Sequence, residues 1–257
     1  MRPSTRLVVL GKKLWTPAQI STALWLDAAD ISTITQNGST VSQWRDKSGN
    51  GRHATQATAT NQPAYTANGL NGKSVLTFDG INDFLVSSTG TYGPNVSIFA
   101  VARQDGETGT RYARLVHIGG SNANRVGFFG SLDGNFSTFF GNGVNWNDAN
   151  VNSPSIAVTS ARVLGVVNPT SGSAATPYVD GTAQITKTGT MTTANGISIG
   201  CIFNEHHWFG IVAEIIVINS AVTTTVRQFI EGYLAWKWGL TANLPDNHPF
   251  KFNPPLV

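Results

Sequence analysis

Apolar residues in this chain fall in short runs that are broken by glycine, asparagine and aspartate. One run over residues 75–78 stops at Asp79-Gly80, and another begins after Asp83. Asp-Gly and Asn-Asp pairs tolerate the positive φ of tight turns, so this pattern predicts a hairpin. The same pattern at residues 178–181 predicts a second hairpin. Short strands joined by such turns are typical of an antiparallel all-β domain.

Further apolar runs predict strands along most of the chain, and residues 211–218 form the most apolar of them. The polar segments 54–72 and 141–155 are predicted to be loops. The predicted strands lie near residues 24–27, 41–45, 74–79, 83–87, 95–103, 112–118, 125–131, 135–140, 156–167, 176–180, 183–187, 196–203 and 207–218.

One long segment has helical periodicity. Apolar residues recur at helical spacing from Val226 to Leu234, which predicts a helix over 223–239 that ends at Gly239. A short helical turn is predicted after Thr16, which would act as its N-cap. We therefore expect an arm over residues 1–14, one domain over 15–257 that includes the helix, and an extended tail over 240–257.

Charge is distributed unevenly along the chain. The net charge is +3, but the first thirteen residues carry four basic residues and no acidic residue, so the rest of the chain is nearly neutral. A nearly neutral body disfavours specific binding of nucleic acid. The arm is either solvated or docks on an acidic neighbour, such as a protein shell or a nucleic acid. Its basic residues are Arg2, Arg6, Lys12 and Lys13.

A membrane-spanning protein and a reactive or disulfide-bonded cysteine are both disfavoured by the sequence. No stretch approaches the roughly 18 apolar residues of a membrane span, so we expect no membrane partner. The single cysteine, Cys201, lies in an apolar run and is expected to be a buried small hydrophobe that forms no disulfide within the chain.

Several motifs in their order along the chain resemble the concanavalin A-like, laminin G-like jelly-roll superfamily. The match covers about residues 23–252. The C-terminal stretch 231–240, with the motifs at 244–245 and 248–250, is similar to a subgroup found in virion proteins of tailed phages. The superfamily motifs are WRDKSGNG at 44–51, FDGINDFL at 78–85, YVDG at 178–181 and GIVAEIIV at 210–217.

The resemblance implies an all-β, antiparallel jelly-roll β-sandwich with a short N-terminal helical turn and one C-terminal helix. Together with the basic arm, the C-terminal similarity predicts a non-catalytic protein on the outside of a tailed-phage virion, made in the host cytoplasm, as a capsid decoration protein or a tail-associated adhesin. The arm would contact capsid or tail proteins, the protein would form a homo-oligomer, and the sandwich would bind cell-surface glycans. A glycan-cleaving enzyme and a free carbohydrate-binding lectin are the alternatives.

Catalysis is disfavoured by the placement of the glutamates. Glycan cleavage uses two carboxylates roughly 5–9.5 Å apart. The glycan-cleaving branch of the superfamily places them along one strand, whereas this chain has only four isolated glutamates: Glu107, Glu205, Glu214 and Glu231. We therefore expect no enzyme and no catalytic residue.

Metal binding is also not expected from the sequence. Glu205, His206 and His207 are adjacent, so on a strand they would point to opposite faces and not converge on one ion. No cofactor is expected, and calcium remains open because many laminin G-like modules hold one ion. Its candidate ligands are Asp133, Asp148 and Asn150.

A polar loop with one tryptophan is the best candidate for glycan binding. Aromatic faces beside amide and acid groups suit sugars, but an aromatic residue in a loop equally suits a protein interface. The sequence leaves both roles open. The residues concerned are Asn145, Trp146, Asn147 and Asp148, together with Trp208 in a second polar segment.

Overall fold

The structure of this chain is a computed structural model that describes residues 12–106, 113–119, 125–130, 136–141, 160–168, 174–184, 186–188, 193–202 and 205–257. Within these residues the chain forms seventeen strands and one α-helix, α1 (Thr224–Trp238). The strands are β1 (Leu24–Asp27), β2 (Ile34–Asn37), β3 (Thr40–Trp44), β4 (Ala54–Thr55), β5 (Ala64–Leu70), β6 (Lys73–Asp79), β7 (Leu85–Tyr92), β8 (Val96–Gln104), β9 (Ala113–Ile118), β10 (Arg125–Gly130), β11 (Phe136–Gly141), β12 (Arg162–Asn168), β13 (Ala174–Val179), β14 (Thr182–Ala183), β15 (Lys187–Thr188), β16 (Ala194–Ile199) and β17 (Phe209–Ile218).

Antiparallel pairing arranges these strands in two sheets. In the helix-bearing sheet, β17 pairs with β8 along one edge and with β6 and β1 along the other. Beyond β8 the sheet continues through β12 to β13, and beyond β6 it continues to β5. In the opposite sheet, β7 and β16 join β2, β3 and β4 to β9, β10 and β11. One pairing of β3 with β5 connects the two sheets. The all-β sandwich with one helix is confirmed.

The helix-bearing sheet has an apolar core on each of its faces. Along β17, Val212 and Ile215 pack between the two sheets, whereas Ile211 and Ile216 pack under α1. This alternation is the two-residue period of a strand that is buried on both faces. A bulge in the pairing of β17 with β8 interrupts it between Val212 and Glu214. As a result, Glu214 faces the helix.

Helix α1 begins and ends as its sequence predicts. The Thr223 hydroxyl accepts a hydrogen bond from the Val226 amide (3.3 Å), and Gly239 takes the left-handed conformation that ends the helix. Near the N-terminus, Pro17–Gln19 form a 3-10 helix, and the Gln19 side chain accepts a hydrogen bond from the Thr16 amide. Both helical predictions are confirmed.

The two predicted hairpins differ in outcome. Asp180 and Gly181 both have positive φ, of 50° and 81°, and they join β13 to β14 as a two-residue hairpin. The hairpin predicted at residues 79–83 is wrong, because β6 pairs with β5 and β17 whereas β7 pairs with β4 and β16. This segment is a corner that carries the chain from one sheet to the other.

Two aspartates close this corner. Asp79 Oδ1 accepts hydrogen bonds from the amides of Ile81 (2.8 Å) and Asn82 (3.2 Å), and Asp83 Oδ2 accepts one from the Asp79 amide (2.9 Å). Burial raises the pKa of Asp83 to about 7. The expected role of both aspartates as turn residues is confirmed, although the turn connects different sheets.

The polar segment and the tail contain more regular structure than the sequence predicts. Strand β5 lies in the segment that was expected to be a loop, and the predicted extended tail contains a 3-10 helix at Thr241–Asn243. The tail ends beside the start of the domain, where Lys13 and Val257 exchange two backbone hydrogen bonds of 3.2 and 2.9 Å. Among the described residues, no helix has the length and apolar character needed to cross a bilayer.

Candidate functional site

The loop after β3 is built around one carboxylate. Asp46 Oδ1 accepts hydrogen bonds from the amides of Trp25 (3.0 Å) and Ser48 (2.9 Å), and Oδ2 accepts them from the Ser48 hydroxyl (2.7 Å) and the Arg52 amide (3.0 Å). The Asp46 amide in turn donates to His53 Nδ1 (3.1 Å). These bonds close residues 46–53 into a compact loop, which we call the Asp46 loop.

Two further side chains attach the Asp46 loop to the sandwich. The Asn50 amide group donates to the carbonyl oxygens of Thr22 (2.9 Å) and Ala23 (3.2 Å). Lys47 Nζ pairs with Asp27 (2.9 Å) and Asp30 (2.7 Å). The loop is therefore held at both ends by groups that precede and follow β1.

A cleft of about 380 Å³ opens beside the Asp46 loop, and we call it the Arg52 cleft. Among the described residues that line it, Arg52 is the only charged one, and the other side chains are mainly amides and hydroxyls. Asn219 is fixed at the rim, because its Oδ1 accepts from the Gly93 amide (2.8 Å) and its Nδ2 donates to the Thr91 carbonyl (3.1 Å). The lining residues are Ser21, Thr22, Ala23, Asn50, Arg52, Ile218, Asn219 and Ser220.

A second group of polar side chains lies under helix α1, around Glu214. Glu214 is 0% exposed and accepts hydrogen bonds from the indoles of Trp25 and Trp238 (both 2.7 Å) and from the Tyr233 hydroxyl (2.9 Å). Lys237 Nζ pairs with the same carboxylate at 2.7 Å. Burial raises the pKa of Glu214, which lies above its ordinary value despite the lysine.

Asp27 joins this group from the neighbouring strand. Asp27 and Glu214 are paired residues of β1 and β17, and Lys237 Nζ also pairs with Asp27 (2.6 Å). A search for glutamates along one strand does not find this pair, because its two carboxylates lie on different strands. Asp27 is only 4% exposed and Glu214 is 0% exposed, so the pair joins the sheet to the helix and does not contact solvent.

A third group joins α1 to the β13–β14 hairpin. Arg227 donates to both carboxylate oxygens of Glu231 (2.7 and 2.6 Å), and its guanidinium lies 4.0 Å from the centre of the Tyr178 ring. His248 Nε2 lies 3.2 Å from the same Glu231 carboxylate. Both Glu231 and His248 are buried, so this group also connects elements of the fold.

The histidines at 206 and 207 do not form a metal site within the described residues. His207 is buried, and its Nδ1 lies 3.4 Å from the Asp83 carbonyl oxygen. No set of three or more His, Cys, Asp or Glu side chains in the described part of the chain could hold an ion. The candidate calcium ligands Asp133, Asp148 and Asn150 lie outside the described residues.

The structure places three of the predicted site residues. Trp208 is 0% exposed in the core between the sheets, where its indole packs inward just before β17, so its ring presents no exposed face to a glycan or a protein interface. Lys12 and Lys13 are exposed. Predicted residues outside the described part are Asn145, Trp146, Asn147, Asp148, Arg2 and Arg6.

The Arg52 cleft was not predicted from the sequence. The motif at residues 44–51, which leads into this cleft, indicated only the fold and no binding site. A usable signal was the arginine directly after a turn rich in glycine and asparagine, because such a turn presents the next side chain at the surface.

Solved structures similar to this chain share its fold at low sequence identity. Domain 4 of AbnA, a GH43 extracellular arabinanase from Geobacillus stearothermophilus, in complex with arabinotriose, is 14% identical with a TM-score of 0.61, and the match covers 82% of this chain and 97% of that domain. Trypanosoma rangeli sialidase in complex with the inhibitor DANA is 14% identical with a TM-score of 0.57, over 86% of this chain and 36% of that one.

An arabinofuranosidase complexed with arabinofuranosyl-alpha-1,2-xylobiose is also similar. It is 14% identical with a TM-score of 0.53, and the match covers 77% of this chain and 51% of that chain. This chain therefore spans about a third of the sialidase and half of the arabinofuranosidase. No protein-family model and no curated protein matches it.

These comparisons contradict the expectation that the protein is not an enzyme, and they agree with the expected β-sandwich fold. The contradiction arises because the similar structures come from a sialidase, an arabinanase and an arabinofuranosidase. At 14% identity the likeness shows the fold alone. The chain has a β-sandwich fold that these structures share.

Proposed function

We propose that this chain is a carbohydrate-binding β-sandwich and that the saccharide binds in the Arg52 cleft. The observation that carries the proposal is a rigid, polar concavity of about 380 Å³ at the surface of a lectin-type sandwich. Small-molecule sites have volumes of roughly 300–1,000 Å³ and few polar groups in fixed positions. The hydrogen bonds of Asp46 and Asn50 fix the loop that presents this lining.

The comparison with domain 4 of AbnA supports carbohydrate binding by the sandwich. That structure contains arabinotriose, and this chain matches 97% of the domain. The partial matches to the sialidase and the arabinofuranosidase fit a sandwich that forms one part of a larger glycan-processing protein.

A saccharide array followed by titration tests the proposal. We expect Asn50→Ala to raise the Kd of a bound saccharide at least about 10-fold, because it removes a lining amide and loosens the loop. Asn37→Ala is the matched control, since Asn37 donates to Gln62 in a different hairpin and should leave the Kd unchanged. Equal Kd values for both variants and the wild type would exclude the Arg52 cleft.

The loop with Trp146 is the competing glycan site. If Trp146→Ala abolishes saccharide binding while Asn50→Ala has no effect, the site lies in that loop and the proposal for the cleft fails. If only Asn50→Ala weakens binding, the loop is free to serve a protein interface instead.

Glycan hydrolysis is a second candidate, favoured by the likeness to three structures from glycoside hydrolases. The test is release of reducing ends from arabinan, xylan and sialylated oligosaccharides, with the sandwich alone and at several pH values. Release that persists in a preparation freed of host hydrolases would establish catalysis. Absence of release under saccharide saturation would leave binding as the function.

We further propose a place on the outside of a tailed-phage virion, on the capsid or the tail, as a homo-oligomer. The support is the similarity of residues 231–250 to virion proteins and the basic arm that begins the chain. Binding of the full chain and of residues 15–257 to purified particles tests the arm. Equal binding of both, with a monomer by light scattering, would contradict anchoring through the arm.

A further inference from the structure

Arg52 lies in the lining of the cleft, and its charge is not compensated by an ion pair as the charges of three other described arginines are. Arg103, Arg162 and Arg227 each pair with a carboxylate, on Asp105, Asp180 and Glu231. Within the described part of the chain, no ion pair forms at Arg52. The Asp46 carboxylate accepts a hydrogen bond from the Arg52 backbone amide (3.0 Å) but forms no ion pair with its guanidinium.

The fold holds the Arg52 side chain in place by other contacts. Nη1 donates to the Ala23 carbonyl oxygen at 3.2 Å, and the guanidinium carbon lies 4.9 Å from the centre of the Tyr92 ring. The Arg52 side chain also packs closely against Gly90, where a Cβ would lie only 2.5 Å from Arg52 Nε. The backbone amide is fixed separately by Asp46 (3.0 Å). The guanidinium is thus oriented before any ligand arrives.

The chemistry of this cleft favours one class of sugar. No aromatic side chain is among the lining residues, so stacking on a sugar ring is not what the described lining offers. Instead it offers an oriented guanidinium, whose planar fork matches a carboxylate through two parallel hydrogen bonds. Amide and hydroxyl groups on Asn50, Ser21 and Ser220 surround it and suit sugar hydroxyls.

We propose that the Arg52 cleft binds a carboxylate-bearing sugar, such as a uronic acid residue, with the carboxylate on the guanidinium of Arg52. This inference rests on the proposed function, since it names the class of saccharide that the same cleft takes. It adds that recognition depends on charge and on the geometry of the fork.

Titration of the full chain with four small probes tests the inference. The probes are sodium D-glucuronate, its uncharged methyl ester, D-glucose and D-glucose 6-sulfate, each followed by the chemical shifts of backbone amides. We expect glucuronate to bind at least about 10-fold more tightly than the ester and glucose, because a charged hydrogen-bonded pair is lost with them. Affinity for glucuronate should fall as salt rises from about 0.05 to 0.5 M.

Variants separate charge from geometry. Arg52→Gln should weaken glucuronate binding about 10- to 100-fold. Arg52→Lys should recover only part of the loss, since lysine keeps the charge but lacks the fork. Arg45→Gln is the matched control. Arg45 is exposed, donates to the Ser32 carbonyl and is not among the residues that line the cleft.

Each outcome has one meaning. Glucose and glucuronate binding equally, with Arg52→Gln unchanged, would overturn the carboxylate assignment and leave carbohydrate binding intact. Glucose 6-sulfate binding as tightly as glucuronate would overturn the preference for carboxylate over sulfate. If none of the four probes and no saccharide of the array binds, the proposed function fails, and this inference fails with it.

Discussion

Lys237 is the residue whose replacement tests the buried charge network most sharply. Its ammonium group lies 2.6 Å from Asp27 and 2.7 Å from Glu214, and these two carboxylates face each other across β1 and β17. Lys237→Met removes the cation but keeps most of the side-chain volume. Lys47 would still pair with Asp27 and Asp30, but the carboxylate of Glu214 would lose its lysine.

The expected loss of stability is large. Removing one partner of a buried ion pair costs about 3–5 kcal/mol, because the remaining charge stays buried without its partner. Asp27 retains Lys47, so most of this cost falls on Glu214. Lys237→Met should therefore lower the free energy of unfolding by about 3–5 kcal/mol at pH 7. Urea denaturation measures it as a shift of the midpoint at constant slope.

The loss should also depend on pH in a defined direction. Burial raises the pKa of Glu214, so the folded protein binds this proton more readily than the unfolded chain. The contribution of this group to stability is then full below its ordinary pKa and is lost as the pH rises through the raised value. The effect of Lys237→Met should accordingly be smaller near pH 4 than at pH 7.

Two further variants separate this explanation from a packing effect. Glu214→Gln in the Lys237→Met background removes the unpaired charge and should recover about 2 kcal/mol. Lys73→Met, at a lysine with no ion pair among the described residues, should change stability by less than about 0.5 kcal/mol. A loss below about 1 kcal/mol for Lys237→Met, or a loss that grows toward acid pH, would refute the reasoning.

Three other predictions concern the stability of the fold. Gly232→Ala should destabilise the protein by about 1–3 kcal/mol despite the helix propensity of alanine, because the new Cβ would lie 2.6 Å from Phe250 Cβ; a gain in melting temperature would contradict it. Burial raises the pKa of Asp83 to about 7, so the folded protein should lose stability as the pH rises from about 4 to 7. Asp83→Asn should flatten the dependence of the melting temperature on pH, and an unchanged dependence would exclude Asp83 as its source. Gly181→Ala should cost more than Gly72→Ala in urea denaturation, since both have left-handed φ but only the Gly181 Cβ would meet another side chain, at 2.9 Å; equal costs would show that this contact relaxes freely.

The elements that the sequence predicted well are those whose pattern is local. The helix over 224–238 has both its periodicity and its two end residues in sequence, and strand β17 is a long run whose only charged residue is Glu214. The hairpin at Asp180-Gly181 also depends on two adjacent residues. In each case neighbouring residues alone determine the conformation.

What the sequence could not predict depends on pairing between distant residues. The corner at 79–83 has the composition of a hairpin, but the partners of β6 and β7 are in different sheets. Asp27 and Glu214 meet only because β1 pairs with β17. The Arg52 cleft likewise combines residues near 22, 52 and 219, which no local pattern connects.

The most direct test of the account is to map the amides that shift when saccharide binds to the intact chain. With glucuronate, or with the best saccharide from the array, the account predicts that the largest shifts cluster at residues 21–23, 50–52 and 218–220. Shifts confined to residues 142–150 would place the site in the loop of Trp146. Shifts spread over the protein without saturation, or no shifts at all, would contradict carbohydrate binding in the Arg52 cleft.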